Sequence, residues 1–266
     1  MSELLDFARR IAREAGQILH EGLSKPHEIR YKGAIDLVTE MDVASEKHVI
    51  SAIRARYPDH AILAEESGAS ETANATHRWV IDPLDGTTNY AHGLPLFCVS
   101  IGLEVNGSMH LGVIYAPALD ECYEAEVGHG AYCNGERIQV SETAELGKAL
   151  LVTGFPYDVR VKSDNVVAFA NFIHTAQAVR RLGSAALDLA WVASGRFDGF
   201  WEPRLKPWDL AAGSVIVAEA GGRVTGYHGK PFSIYGDEVL ASNGHLHDPM
   251  IEVLARKTML EGPTHG

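Results

Sequence analysis

The chain reads as a layered α/β protein with more than one sheet, the sheets mixed in strand direction. Three observations lead there. Segments with apolar residues at three- and four-residue spacing alternate along the chain with short β-branched and aliphatic runs. Asn106-Gly107 sits between two such runs, a strong hairpin signal, so the sheets are not all parallel. No linker, low-complexity tract or internal repeat divides the 266 residues, a length that holds one large domain or two small ones. The expectation is one domain over 1-266 in two tightly packed halves, about 1-145 and 146-266.

Each element has its own warrant. Leu4, Leu5, Ala8, Ile11, Ala12, Ala15, Ile18 and Leu19 form one helical stripe, closed by Gly22. A loop or hairpin is expected over Tyr31 to Thr39. A second helix starts near Asp42, turns Val43, Val49, Ile50 and Ile53 inward and stops at Pro58. The period then shortens. Ala61 to Ala64 and Trp79 to Ile81 read as buried strands, separated by a polar surface loop from Gly68 to His77. Strands follow at 97–105, 109–115, 121–127 and 150–152. Helices are expected at about 158–176 and 184–194, then a strand at 197–201. A helix over 208–220 ends at Gly221-Gly222. Strands near 223–227 and 239–242 precede a terminal helix near 247–260.

Charge and composition exclude several functions. The chain has 23 basic and 35 acidic side chains, a formal net charge of −12. That balance argues against nucleic acid and against anionic membrane surfaces, both of which need clustered Lys and Arg. Three cysteines, Cys98, Cys122 and Cys133, make no disulfide framework and no C-x-x-C pair. The N-terminal acids do not suit a secretory leader, and no apolar run is long enough to span a bilayer, so a cytoplasmic setting is expected. The thirteen histidines form no H-E-x-x-H pattern for zinc.

The informative residues are acids at element ends. Glu65-Glu66 follows one apolar strand. Asp82-Pro83-Leu84-Asp85-Gly86-Thr87 follows another, and Trp208-Asp209 opens a helix. Strand ends are where α/β proteins build ligand sites. Pro83 is expected to end its strand, because it donates no ladder hydrogen bond. A turn there brings Asp82 and Asp85 to one side, where two anions repel unless a cation lies between them. Oxygen-only ligands select Mg²⁺, Mn²⁺ or Ca²⁺. The spacing D-x-x-D-G-T is one residue longer than the D-x-D-G-T of haloacid-dehalogenase phosphatases, which argues against a covalent aspartyl-phosphate.

Trp79-Val80-Ile81-Asp82-Pro83-Leu84-Asp85-Gly86-Thr87-Thr88-Asn89 resembles the first signature of the inositol monophosphatase family. Trp208-Asp209-Leu210-Ala211-Ala212-Gly213, running on to Gly221-Gly222, resembles its second, and the similarity extends over nearly the whole chain. The resemblance implies an αβαβα sandwich and a phosphatase using two to three Mg²⁺ ions, with Mn²⁺ as a substitute. It assigns Glu65, Asp82, Asp85, Asp209 and the Leu84 carbonyl as metal ligands. Thr87, oriented by Asp42, would hold the attacking water, with Glu66 supporting the ligands from behind. Gly86 and Thr87 would donate backbone N–H groups to the phosphate. Glu202 would accept hydroxyls of the substrate, Gly183-Ser184-Ala185 would border it, and Arg180, or else Arg181, would close the site. Family membership also implies a homodimer and sensitivity to Li⁺.

The substrate expected from this is a small phosphorylated polyol, myo-inositol monophosphate. Histidinol phosphate keeps the same metals and changes the leaving group. Arg204 and Lys206, between Glu202 and Asp209, leave room for a second phosphate, as in fructose 1,6-bisphosphate or a nucleotide 3′-phosphate. A non-catalytic partner-binding protein on the same fold is the alternative of another class, and the complete acid set speaks against it.

Overall fold

The computed structural model describes residues 2–23, 29–31, 37–70, 72–156 and 164–259. In chain order the elements are α1 (Glu3–Gly22), β1 (Ile29–Tyr31), β2 (Leu37–Thr39), α2 (Glu40–Arg56), β3 (Ala61–Ala64), β4 (Gly68–Ser70), β5 (His77–Asp85) and α3 (Thr87–Ala91). Next come β6 (Cys98–Val105), β7 (Ser108–Ala116), β8 (Glu121–Glu126), β9 (Gly130–Cys133), β10 (Glu136–Ile138) and β11 (Leu150–Thr153). The remainder is α4 (Asp164–Thr175), β12 (Ala178–Arg180), α5 (Ala185–Ala193), β13 (Gly199–Pro203), α6 (Pro207–Glu219), β14 (Arg223–Thr225), β15 (Glu238–Ser242) and α7 (His247–Leu254).

Two mixed sheets dominate. One has eight strands in the order β10-β9-β8-β7-β6-β5-β3-β4, the other five in the order β12-β11-β13-β15-β14. In the first, β3 and β5 run parallel and β5 to β8 antiparallel; β6 and β7 form the hairpin expected at Asn106-Gly107. β1 and β2 pair antiparallel, so the expected hairpin is present, its connecting residues lying outside the described ones.

Side-chain alternation sorts the core into three slabs and so orders the layers. Trp79 and Ile81 of β5 pack with α1 and α2, through Leu5, Ile11, Leu19, Val49 and Ile53. Val80 points the other way, toward α5 and α6. Beyond those helices, Val152 and Phe200 of the second sheet close the same slab, while Leu151 and Trp201 face α4 and α7. The sequence of layers is therefore helix, sheet, helix, sheet, helix. Lying between two sheets, α6 buries every residue from Leu210 to Val217 and has no polar stripe. A helix apolar all round is a buried one.

Four short strands escape the apolar-run criterion. β4 lies inside the stretch read as a loop, and β9 and β10 continue the antiparallel meander past β8. β12 follows α4 as an edge strand. Pro83 is the more instructive difference: β5 does not end there but runs to Asp85, with a register shift against β6 between Asp82 and Asp85.

Candidate active site

That register shift builds the site. Residues three apart in a regular strand face opposite sides of a sheet. A bulge restores both to one side. Asp82 pairs with Ser100 and Asp85 with Cys98 on β6, and the irregularity between them accommodates a proline that has no N–H to give. The backbone there is held from outside, since Ser45 Oγ on α2 donates to the Pro83 carbonyl at 2.8 Å. Leu84 N donates to Asp82 Oδ1 at 2.9 Å.

Parallel pairing supplies the next acid. Ala64 of β3 lies beside Ile81, and Glu65 N donates to the Ile81 carbonyl at 3.2 Å, so Glu65 emerges level with Asp82. The turn after it is pinned by Glu46 of α2, whose carboxylate accepts from Glu66 N at 2.8 Å and Ser67 N at 2.9 Å. Asp209 arrives from the opposite layer. Ser100 Oγ contacts the Trp208 carbonyl at 3.3 Å, and Asp209 caps its own helix by accepting from Lys206 N at 2.7 Å. Asp85 accepts from Ser184 Oγ and Ala186 N, both at 2.7 Å, and so caps α5 from another layer.

Asp82, Asp85 and Asp209 thereby offer oxygens that all lie within 4.8 Å of one another. Among the described residues no Lys or Arg forms an ion pair with any of them. Burial raises all three carboxyls above the ordinary range; for Asp82 and Asp209 neighbouring acids add to it, while for Asp85 the Ser184 and Ala186 donors oppose it. At 4.8 Å each ionised pair repels by roughly 3–4 kcal/mol at an effective dielectric constant of about 20. Such a cluster either holds protons or holds a cation. The donors are oxygen only: no histidine lines the cavity, and burial keeps the neighbouring Cys98 thiol protonated, so the set fits a hard divalent ion.

Next to the cluster stands a hydrogen-bonded pair. Thr87 Oγ1 lies 3.0 Å from Asp42 Oδ1 and 3.0 Å from the Leu84 carbonyl. Asp42 Oδ2 accepts from Thr39 N at 2.8 Å and Thr39 Oγ1 at 2.6 Å, which caps α2 and locks the carboxylate. Burial raises the Asp42 carboxyl, and the Thr39 and Thr87 donors work against that rise. Gly86, at φ +94°, makes the turn between β5 and α3; a Cβ there would stand 2.8 Å from the Leu96 carbonyl.

These elements surround a cavity of about 480 Å³. Glu65, Asp82, Leu84, Asp85, Gly86, Thr87 and Asp209 line it together with Gly183, Ser184, Ala185 and Glu202. Asp42 reaches Thr87 from outside the cavity, and Glu66, whose N–H is bound by Glu46, is not on the cavity wall either. Arg180 is misplaced by the sequence reading. It is exposed, with its guanidinium 3.1 Å from the Val179 carbonyl, and Arg181 lines the cavity instead. Consecutive residues at a strand end face opposite sides, so only one of the two can reach in.

Sequence reasoning also missed Glu46, Gly154 and Asp188. Glu46 reads as an ordinary solvated acid on a helix. Gly154 follows β11, and a Cβ there would fall 2.1 Å from Glu202 Oε2, so the missing side chain is what admits the Glu202 carboxylate. Asp188 reads as one acid in the first turn of an apolar helix. It is 1% exposed, lines the cavity, and burial raises its carboxyl well above the ordinary range, with Glu202 adding to the rise.

A buried, oxygen-only acid cluster at the strand ends of a five-layer sandwich fits a hard-cation site beside a ligand cavity. Comparison with known proteins is specific. The model of the inositol monophosphatase family matches residues 1–259. An inositol-1-monophosphatase of Synechocystis sp. is 47% identical over 253 residues, 94% of this chain and 88% of its own. A Nus factor SuhB of Pasteurella multocida is 43% identical over 249 residues, 92% of this chain and 91% of its own. The crystal structure of extragenic suppressor protein suhB from Bartonella henselae superposes with a TM-score of 0.93 at 36% identity, covering 96% of this chain and 100% of that one. The chain belongs to the inositol monophosphatase family and is a phosphatase of that type. Among the described residues no helix is long and apolar enough to cross a membrane.

Proposed function

We propose that the protein is a Mg²⁺-dependent phosphomonoesterase that hydrolyses myo-inositol monophosphates to inositol and phosphate. The observation that carries the reading is the Asp42–Thr87 pair set against the Leu84 carbonyl at the edge of the acid cluster. Two to three Mg²⁺ ions, or Mn²⁺ in their place, fit Glu65, Asp82, Asp85, Asp209 and the Leu84 carbonyl, and when bound lower the pKa of water and offset phosphoryl charge.

The chain's own residues do the rest. Thr87 has one hydroxyl proton. Given to the ionised Asp42, it leaves the Thr87 lone pairs facing the cavity, where they accept a hydrogen bond from the attacking water and direct it. The three donors that converge on Asp42 favour its ionised form and oppose the rise that burial imposes. Gly86 and Thr87 border the phosphate, and Gly183 to Ala185 the ring of the alcohol. Glu202 accepts from hydroxyls of the leaving alcohol. The Synechocystis relative, named an inositol-1-monophosphatase, supports the substrate.

Arg204 and Lys206 line the same cavity, which favours a bisphosphorylated sugar or a nucleotide 3′-phosphate as a second substrate class. Histidinol phosphate competes for the same metals. The Pasteurella multocida relative is named a Nus factor, SuhB, and against a non-catalytic role on the same fold the complete acid set favours catalysis. Three free cysteines support a reducing, cytoplasmic setting. The homodimer and Li⁺ sensitivity rest on family membership. Phosphate release from inositol 1-phosphate, histidinol phosphate, fructose 1,6-bisphosphate and 3′-AMP, each with Mg²⁺, tests the reading. The highest kcat/KM on inositol 1-phosphate is expected, and a preference for any other member of the panel overturns it.

A further inference from the structure

Most buried carboxylates around the cavity are already supplied with donors. Asp42 has Thr39 and Thr87, Asp82 has Leu84 N, Asp85 has Ser184 and Ala186, and Asp209 has Lys206 N. Asp188 differs. Its Oδ1 is buried and has no hydrogen-bond partner among the described residues, and the residue forms part of the cavity wall. Buried acceptors without donors are rare in folded proteins, and one on a ligand cavity marks a place where a ligand brings the donor. Its charged surroundings are Glu202, Asp85 and the single cation Arg181. Arg181 and Asp85 also act on Glu202. Asp188 reaches this point from α5 and Glu202 from β13, so two carboxylates from different layers meet the same volume. Arg181 offsets part of their charge.

We propose that Asp188 is a specificity-determining residue which, together with Glu202, accepts hydrogen bonds from hydroxyls of the leaving alcohol. The inference rests on the phosphatase reading and deepens it: the alcohol is recognised as a polyol by two buried acceptors. Neither acceptor belongs to the cluster of Asp82, Asp85 and Asp209, so recognition of the alcohol is separable from the chemistry.

A hydroxyl-free substrate separates this role from a structural one. Asp188→Asn and Asp188→Ala are compared with the unaltered chain on inositol 1-phosphate and on cyclohexyl phosphate, with Mg²⁺, and inhibition by inorganic phosphate is measured alongside. KM for inositol 1-phosphate is expected to rise on the order of ten-fold, as for loss of one buried hydrogen bond. For cyclohexyl phosphate kcat/KM should stay within about two-fold, and so should the inhibition constant of inorganic phosphate. Equal losses on both substrates, or no change on either, overturn the proposal. Thermal unfolding of Asp188→Asn identifies a variant damaged in folding, and the near-isosteric amide keeps the comparison usable. Should the unaltered chain prefer another hydroxylated phosphate, the inositol reading fails. Asp188 is then judged on that substrate against its deoxy analogue by the same criterion.

Discussion

Thr87→Val removes one hydroxyl and keeps the shape of the side chain, which is 7% exposed. Asp42 would lose the donor on Oδ1 and keep both Thr39 donors on Oδ2. A lost hydrogen bond to a charged group costs about 1.5–3 kcal/mol. At roughly 2–4 °C per kcal/mol for a chain of this size, Tm should fall by about 3–12 °C, with the protein still folded at 25 °C. The effect on catalysis is larger. Without the hydroxyl nothing links Asp42 to the attacking water, and loss of a positioned proton-transfer group costs about 10²–10⁴ in rate. The assay is phosphate release under saturating Mg²⁺, with Thr87→Ser as the companion. Serine restores the hydroxyl and should recover most of kcat. If Thr87→Val keeps a tenth or more of wild-type kcat, or if Thr87→Ser is as poor as Thr87→Val, the Asp42–Thr87 pair does not direct the water.

Other outcomes follow from the same geometry. Asp82, Asp209, Asp85 and Asp42 hold their protons above the ordinary carboxylate range in the metal-free fold, so the folded chain binds more protons than the unfolded one there. Their contribution is complete below the unfolded pKa of about 4 and is lost as pH rises through the raised values, so chelated protein should lose Tm as pH rises. His247, lowered to about 4 by burial, acts in the opposite sense below about 6.5. It is common to both states, so the comparison is between chelated and Mg²⁺-loaded protein. The gap in Tm should widen with pH, and a constant gap contradicts the account. Gly154→Ala places a Cβ 2.1 Å from Glu202 Oε2 and should raise KM for inositol 1-phosphate at least ten-fold by displacing that carboxylate; an unchanged KM in steady-state kinetics contradicts this. Arg181→Ala should weaken substrate binding, whereas Arg180→Ala should alter KM less than two-fold in the same assay. Glu46→Ala leaves Glu66 N and Ser67 N without their acceptor, and calorimetric Mg²⁺ affinity should fall several-fold through movement of Glu65.

The layers were legible because their signals are local. The stripe from Leu5 to Leu19 dictates a surface helix, and the run from Leu210 to Val217, apolar but for Ser214, dictates a helix covered on both sides. The acids were legible because each follows or opens a buried element. What escaped was set by partners distant in sequence. β9, β10 and β12 are three or four residues long and exist by pairing with neighbours. Pro83 was read by its own chemistry as a strand end, whereas pairing with β6 carries the strand through it as an irregularity. That irregularity, rather than a turn, puts Asp82 and Asp85 on one face. Glu46 and Asp188 carry no local mark at all. Their roles come from the β3 turn and from the facing β13.

The net charge of −12 takes on a local meaning in this light. It argued against anionic partners, yet Glu65, Asp82, Asp85 and Asp209 spend four of those charges at one cavity, where bound divalent cations invert the local sign. The most direct test is a Mg²⁺ titration of phosphate release by chelated protein, run beside Asp82→Asn. The account predicts no turnover with chelator, full recovery on adding Mg²⁺, and for Asp82→Asn a Mg²⁺ requirement at least about ten-fold higher. Hydrolysis that persists with chelator, or an unshifted titration in Asp82→Asn, would contradict it.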